Sequence, residues 1–319
     1  MKQAEKAEIA VYGGVNLDIQ AKSFSFFLPG DSNPGSLQVS PGGVGRNIAE
    51  NLARLGLRTE LVGLFGTDAL STVLTDSCTA AGLRYDRSLF LPGKSSSAYV
   101  CLLDADGSLA GAVAAMELFD GLTLGMMESH WQAGDEAGLV ILDGNLPRPV
   151  LEAGLARWTG KPVLFDPVSE TKAVRGKGLL GAMAMIKPNL GEAELLVGIP
   201  SDPSADPVVR ARRAALALVD QGVAEAFVSI GSRGLVYADA GLCGLVAPLE
   251  LPVVNVSGAG DAAAAGIAIA TLRGYDVATK AALAVAMASY CAASVSTVAE
   301  GLGFESLMVA AGRVRNVRL

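Results

Sequence analysis

The chain has 319 residues, of which 51% are hydrophobic, and carries a formal net charge of −7 without any basic run. That length and apolar content suit one α/β domain with a small appendage. The acidic balance excludes an extended nucleic-acid surface, which needs clustered Lys and Arg to replace counterions, while leaving a single nucleoside or nucleotide open as a ligand.

The N-terminal run from Met1 to Glu8 is polar and does not read as a signal peptide. Ile9-Ala10-Val11-Tyr12 reads as a strand ending in Gly13-Gly14. Helical spacing of Ile48, Ala49, Leu52 and Leu55 predicts a helix from Arg46 to Leu55, stopped by Gly56. Further strands are expected at 61–64, 139–142, 163–165, 185–186 and 226–230, with helices between them such as 149–158 and 208–221. This alternation predicts a mostly parallel sheet with helices on both faces. Segments 17–41 and about 95–115 break the rhythm, with irregular patterns, Gly and Pro. They are expected to form a small inserted β-sheet, a lid beside the ligand site, so that residues 1–319 make one domain plus a lid.

Cys78, Cys101, Cys243 and Cys291 are scattered without a CxxC pair. Neither a zinc site nor a disulfide framework is expected, and a reducing cytoplasm is the default location. Ala281 to Ala299 is uncharged over nineteen residues, about the length of a bilayer span. It is Ala-rich and carries Ser289, Ser294, Ser296 and Thr297, so it reads as a helix buried in the core and no membrane partner is expected.

Ligands of open parallel sheets bind beyond the carboxyl ends of the strands. The polar groups just after the expected strands are Asn16, Asp18, Asp143, Asn145, Asp166, Lys187 and Asn189, with Gly231. Such a set suits a polyhydroxylated substrate and a nucleotide.

Val253-Val254-Asn255-Val256 reads as a strand and Ala262 to Leu272 as a helix, with Ser257-Gly258-Ala259-Gly260-Asp261 between them. Glycines let backbone N–H groups turn toward an anion, and a helix N-terminus adds partial positive charge. A carboxylate there is favoured in its ionised form and can take a hydroxyl proton beside a transferring phosphoryl group. Asp261 is therefore either a general base or simply a first-turn residue that complements the helix dipole.

Two other phosphate-binding patterns fail. Gly258 to Ala263 fits G-x-G-x-x-G/A, but the following residues read as two helices running to the C-terminus, without the further βαβ units and acidic strand end of a dinucleotide fold. Ser88 to Ser95 lacks the first P-loop glycine, and its Pro92 has no N–H. His130 is the only histidine and reads as a bystander on a surface helix, which leaves a carboxylate as the candidate base. Asn189 and Glu192, three residues apart at a helix start, make either a capping box or a pair that holds water and Mg²⁺. Gly42-Gly43-Val44-Gly45-Arg46-Asn47 allows close backbone approach to a ligand, or is a tight turn into a helix.

Taken together, these windows resemble the ribokinase-like PfkB family of carbohydrate and nucleoside kinases. The resemblance rests on Gly42 to Ala49 with Gly56 and Gly66, on Asn189 with Glu192, and on Asn255 to Asp261 through Gly266, and it covers nearly the whole chain. Within the family, Asp31 to Gly35, Pro41 to Gly56, Asp166 to Ser169 and Lys187-Pro188-Asn189 look like the pseudouridine-kinase subgroup. Many sugar kinases of the family have Asp where this chain has Asn255.

The resemblance implies a ribokinase-like α/β fold and ATP-dependent phosphorylation of pseudouridine at its ribose 5′-hydroxyl. A related kinase acting on ribose or another nucleoside, and a catalytically silent nucleoside-binding regulatory protein, are the alternatives. It implies that Asn16 and Asp18 hold ribose hydroxyls, with Gly42, Gly43 and Asn47 completing the sugar pocket and Asn145 lining it. Ser32 and Asn33 would lie in the lid near the base, and Ser96 or Ser97 would reach the substrate from the second lid segment. Gly258, Ala259 and Gly260 would form an anion hole and Asp261 would take the hydroxyl proton. Lys187, Asn189, Gly231, Gly234 and Ser257 would border the nucleotide. Asn189 and Glu192 would organise Mg²⁺ through water, and Asn255 and Ser257 would neighbour a monovalent cation such as K⁺. A homodimer paired through the lid is the expected assembly.

Overall fold

The computed structural model describes residues 6–299 and 301–319; residues 1–5 of the polar N-terminal run and Glu300 lie outside the described residues. The chain opens with the wholly buried β1 (Ile9–Tyr12) and leaves it for a hairpin of β2 (Asn16–Ser23) and β3 (Gly35–Gly42). It returns through α1 (Val44–Arg54), β4 (Thr59–Val62), the short β5 (Leu64–Phe65) and α2 (Ala69–Ala80). β6 (Leu89–Phe90) pairs with β5, and β7 (Ala98–Leu103) and β8 (Leu109–Ala115) then rejoin the hairpin. Strand and helix alternate again in β9 (Leu139–Asp143), α3 (Arg148–Arg157), β10 (Val163–Asp166), β11 (Met185–Ile186), α4 (Leu190–Val197), α5 (Pro207–Asp220) and β12 (Glu225–Ser229). A second hairpin, β13 (Leu235–Ala238) and β14 (Cys243–Val246), precedes α6 (Ala259–Leu272), α7 (Val277–Ala292), α8 (Phe304–Ala311) and the final β15 (Asn316–Arg318).

Among the described residues the main sheet has nine strands in the order β15-β14-β13-β12-β11-β10-β9-β1-β4. The strands from β4 to β12 pair in parallel, and β13, β14 and β15 extend the sheet antiparallel. Parallel strands must be covered on both faces, and two apolar layers do this. One packs α1, α6, α7 and α8 against one face, and the other packs α3, α4 and α5 against the opposite face. The mostly parallel sheet with helices on both faces, expected from the strand–helix alternation, is therefore present. The irregular segments form a separate four-stranded sheet, β3-β2-β7-β8, in which β2 and β7 run parallel and the outer pairs are antiparallel.

Three expectations are corrected. Residues 253–256 are not a strand: the N–H groups of Val254 and Asn255 both donate to the Ala292 carbonyl at the end of α7, and Val253, Val254 and Val256 are exposed. β-Branched residues suit a strand only where a sheet edge is free to receive them. The uncharged stretch 281–299 is helical only to Ala292, and the remainder turns back over the start of α6. The segment after α6 holds two helices and a terminal strand rather than helix alone. Among the described residues no helix is long and apolar enough to cross a membrane.

The Ala-rich composition has a packing cause. α6 and α7 approach so closely that a Cβ on Gly266 would lie 2.8 Å from Ala284 Cα. Gly266→Val is expected to cost about 1–3 kcal/mol of stability, because added volume in a closed helix contact forces the backbone apart. Urea unfolding of the two proteins side by side measures it.

Candidate active site

The carboxyl end of β1 and the start of α1 are built from glycines in contact. Gly43 has φ +99°, and a Cβ there would lie 2.4 Å from the Gly14 carbonyl oxygen. A Cβ on Gly42 would fall 2.2 Å from Asp18 Oδ2, so the missing side chain is what admits the carboxylate. Asn16, buried at the start of β2, donates from Nδ2 to Asp18 Oδ1 at 2.8 Å. Burial raises the Asp18 carboxyl above the usual range, against the lowering effects of Asn16 and Arg46. Asn16, Asp18, Gly42 and Gly43 thus meet where β2, β3 and α1 join.

The start of α6 closes the site from the other side. Gly258 has φ +80° and leaves no room for a Cβ, which would sit 2.0 Å from the Thr297 carbonyl oxygen. No side chain caps this helix, whereas α2, α4, α5 and α7 are capped by Asp68, Asn189, Asp206 and Asp276. The first-turn amides of an uncapped helix lack intrahelical partners and favour an anion. Asp261 lies in that first turn, and its Oδ2 accepts a 2.8 Å hydrogen bond from Asn47 Nδ2 across 214 residues of chain.

At Asp261 burial opposes the ionised form that a helix start favours. Burial pushes its carboxyl up to about 8, and the neighbouring Asp166 and Asp143 add to the rise against the pull of Asn47 and Lys187. Desolvation outweighs the helix dipole here.

Arg46 was not singled out as a site residue by sequence, yet it organises this corner. It is buried, and Nη2 donates to Glu50 Oε2 at 2.6 Å and to Ser77 Oγ, while Nη1 donates to Asn47 Oδ1 at 3.2 Å. Glu50 is held in turn by Arg54 at 2.7 Å. Because the guanidinium has only donors, it must face the amide oxygen of Asn47, which leaves Nδ2 for Asp261. One turn on, Asn51 Oδ1 accepts from the Ala299 N–H and ties α1 to the segment over Gly258. The available signal was an Arg at i and a Glu at i+4 inside an amphipathic helix.

The strand ends supply further polar groups. Asp143, fully buried, accepts from the Gly14 N–H at 2.7 Å and the Asn145 N–H at 2.8 Å, and burial raises its carboxyl to about 6. Asn145 donates to Asp143 and accepts from Lys172, so its amide is engaged within the wall. Lys187 Nζ lies 3.1 Å from Asp166 Oδ2, and a Cβ on Gly260 would be 3.2 Å from the same Nζ. Burial works to lower the Lys187 ammonium, but Asp166, Glu192 and Asp261 outweigh it and keep it protonated. Val168, just after β10, is the one non-glycine residue with positive φ among those described, at 72°. Such strain is typical of functional loops.

Both readings of Asn189 and Glu192 bear on the geometry. The capping box is present: Asn189 Oδ1 accepts from the Glu192 N–H and Glu192 Oε2 from the Asn189 N–H, each at 2.9 Å, while Asn189 Nδ2 donates to Glu192 Oε1 at 2.7 Å. Each carboxylate oxygen still has lone-pair capacity, which fits an ion that keeps its waters. Asn189 bridges to Ser229 at the end of β12, beside Gly231 and Gly234, whose φ values are +57° and +101°. Asn255 Oδ1 accepts from the Ser257 N–H at 2.9 Å, forming a turn that leads into Gly258.

The chain matches the pfkB family of carbohydrate kinases over residues 6–301. It belongs to that family. It is 34% identical to the pseudouridine kinase of Escherichia coli K12 over 265 residues, covering 83% of each chain. A carbohydrate kinase from Agrobacterium tumefaciens superposes with a TM-score of 0.85 at 27% identity, covering 98% of this chain and 99% of that one. The structure of Arabidopsis thaliana ribokinase complexed with ribose and ATP has a TM-score of 0.82 at 22% identity, covering 96% and 99%. As a pfkB kinase, this chain is a phosphotransferase with an alcohol acceptor on a small sugar or nucleoside.

The other candidates of the pfkB reading sit in the β2–β3 hairpin and in the segment that enters β7. Ser32 is exposed at the tip of the β2–β3 hairpin, and Asn33 is engaged with its own loop, accepting from the Leu28 N–H and donating to the Leu28 and Asp31 carbonyls. Ser96 is buried, with Oγ accepting from the Gly66 N–H and its own N–H donating to Asp68, so it fastens a loop. Ser97 is buried where its carbonyl accepts from the Leu17 N–H. His130 sits in a turn, not on a helix, with Nδ1 2.8 Å from the Arg87 carbonyl oxygen.

If Arg46 acts through Asn47, the two must be coupled. Arg46→Met is expected to lower kcat about tenfold, and to cost less than about threefold more once Asn47 is already Ala, since residues in one network are non-additive. A double-mutant cycle in kcat measures this, and additive losses would show that Arg46 acts independently.

Proposed function

We propose that this pfkB kinase transfers the γ-phosphoryl group of ATP to the 5′-hydroxyl of pseudouridine, giving pseudouridine 5′-phosphate and ADP. The observation that carries the reading is Asp261, held by Asn47 at the uncapped start of α6. Kinship with the Escherichia coli pseudouridine kinase supports the choice of nucleoside. The similarity to a guanosine-inosine kinase and to a ribokinase keeps another nucleoside, or ribose, as the second reading.

In this reading Asp18 and Asn16 hold the ribose hydroxyls, and the glycines at 42 and 43 let the ring approach the backbone. Asp261 Oδ accepts the 5′-hydroxyl proton as the O5′–Pγ bond forms and the Pγ–O bond to ADP breaks. The amides at the start of α6 stabilise charge on the γ-phosphoryl oxygens, where fixed dipoles need no reorganisation. Lys187 holds positive charge beside them. Asn189 and Glu192 would hold Mg²⁺ through its waters, which would neutralise phosphate charge when bound. Gly231 and Gly234 border the nucleotide, and Asn255 with Ser257 neighbours a monovalent cation such as K⁺.

The four-stranded sheet acts as a lid over the substrate. Its outer face carries exposed Leu37, Val39, Leu102 and Val113, an apolar surface suited to a second copy in a homodimer.

Asp261→Asn is expected to lower kcat by about a thousandfold while leaving the nucleoside Kd within a few fold, the signature of a lost general base. Rates on pseudouridine, uridine and ribose decide the substrate, and faster turnover of ribose than of pseudouridine would overturn the first reading. The pH profile follows from burial of the base. Asp261 accepts a proton only when ionised, so kcat/KM is expected to fall as pH drops below about 8. Stopped-time assays from pH 6 to 9.5 locate that limb.

A further inference from the structure

A polar cavity of about 620 Å³ opens beside Asp18, lined among others by Gln20, Gln38, Ser40, Arg46 and Asn255. Gln20 and Gln38 are direct partners in the antiparallel ladder of β2 and β3. Directly opposed residues have Cβ atoms about 4.5–5.5 Å apart, so the two amides form a pair on one face. Asp18 precedes Gln20 by two residues and shares that face, about 7 Å away. Both glutamines are exposed, and among the described residues neither amide has a hydrogen-bond partner. Asn33, the amide that sequence placed near the base, is closed on its own loop.

We infer that Gln20 and Gln38 are the residues that read the base, by pairing their two amides with the edge of a uracil ring attached through carbon. This rests on the reading of the site as a nucleoside kinase. With the 2′- and 3′-hydroxyls at Asp18 and the 5′-hydroxyl at Asp261, C1′ is the ring carbon remote from Asp261. The base therefore leaves along β2, from Asp18 toward Gln20. The register places the two amides where the ring ends.

The chemistry selects one base. A uracil linked through C5 presents N1–H, C2=O, N3–H and C4=O in succession. Two primary amides offer donors and acceptors that match this alternation. Uridine has the same shape but places C5–H where pseudouridine has N1–H, so one amide oxygen facing it loses its partner. A site that hydrogen-bonds an N–H and excludes water once the base is seated rejects the analogue that lacks it, because a polar group is then left buried and unpaired.

The ratio of kcat/KM for pseudouridine over uridine reads this contact, since the substrates differ there by N–H against C–H. The wild-type ratio is expected to exceed about tenfold, and the Gln20→Met/Gln38→Met protein to bring it below about threefold. Its KM for ATP and its thermal midpoint, measured alongside, should stay at wild-type values and so report an intact fold. A ratio that keeps its wild-type value in the double variant would overturn the inference, as would a wild-type protein that treats the two nucleosides alike. In both cases the nucleoside-kinase reading survives. Turnover of ribose with neither nucleoside phosphorylated would overturn that reading as well. If the double variant misfolds, the single changes Gln20→Glu and Gln38→Glu carry the same test, and a ratio unmoved in both rejects the pair.

Discussion

The hydrogen bond from Asn47 to Asp261 is the constraint on which the site depends. It joins the first turn of α1 to the first turn of α6 and makes two distant glycine-rich segments into one wall. Both helices start without a side-chain cap. A buried carboxylate between Asp166 and Asp143 is costly to ionise, and Asn47 with Lys187 keeps that cost within reach of neutral pH. The rest of α1 serves this contact. Arg46 orients the amide, Glu50 and Arg54 hold Arg46, and Asn51 fastens the segment that covers Gly258.

Close backbone approach explains the glycines around it. Gly42, Gly43 and Gly258 each stand where a Cβ would strike a neighbour within 2.4 Å, and two of them also adopt positive φ. Such positions accept no other residue without moving the backbone. The polar groups at strand ends behave differently. Asp143 and Asn145 are bound to each other and to the β1–β2 turn, so they shape the floor beneath the site. Asp18, Gln20 and Gln38 face the open cavity instead.

Much of the layered fold was legible from periodicity. The strands at β1 and β11 appear at the bounds expected, and the helices α3 and α5 within one residue, because each sits in a buried, regular environment. The misread element at 253–256 and the two strands that went unpredicted share one physical cause. Residues 253–256 have strand-like side chains but no free sheet edge to join, and β13 and β14 are short strands whose antiparallel pairing depends on a turn at Asp239. Strand identity is settled by partners, which a linear pattern does not contain.

The site divides along the same line. Residue type and local spacing alone pointed to Asp261, to its glycine-rich helix start and to the 42–47 turn, since the chemistry of a helix N-terminus is local. Local spacing also allowed two readings of Asn189 and Glu192, and the capping box is present without removing the carboxylate's capacity to hold water. Only the folded chain decided that Asn47 meets Asp261, that Arg46 orients it, that Asn33 turns inward, and that burial raises the base. The Asn47–Asp261 contact joins residues 214 apart in sequence, and the burial of the base depends on water excluded by layers that no short window encodes.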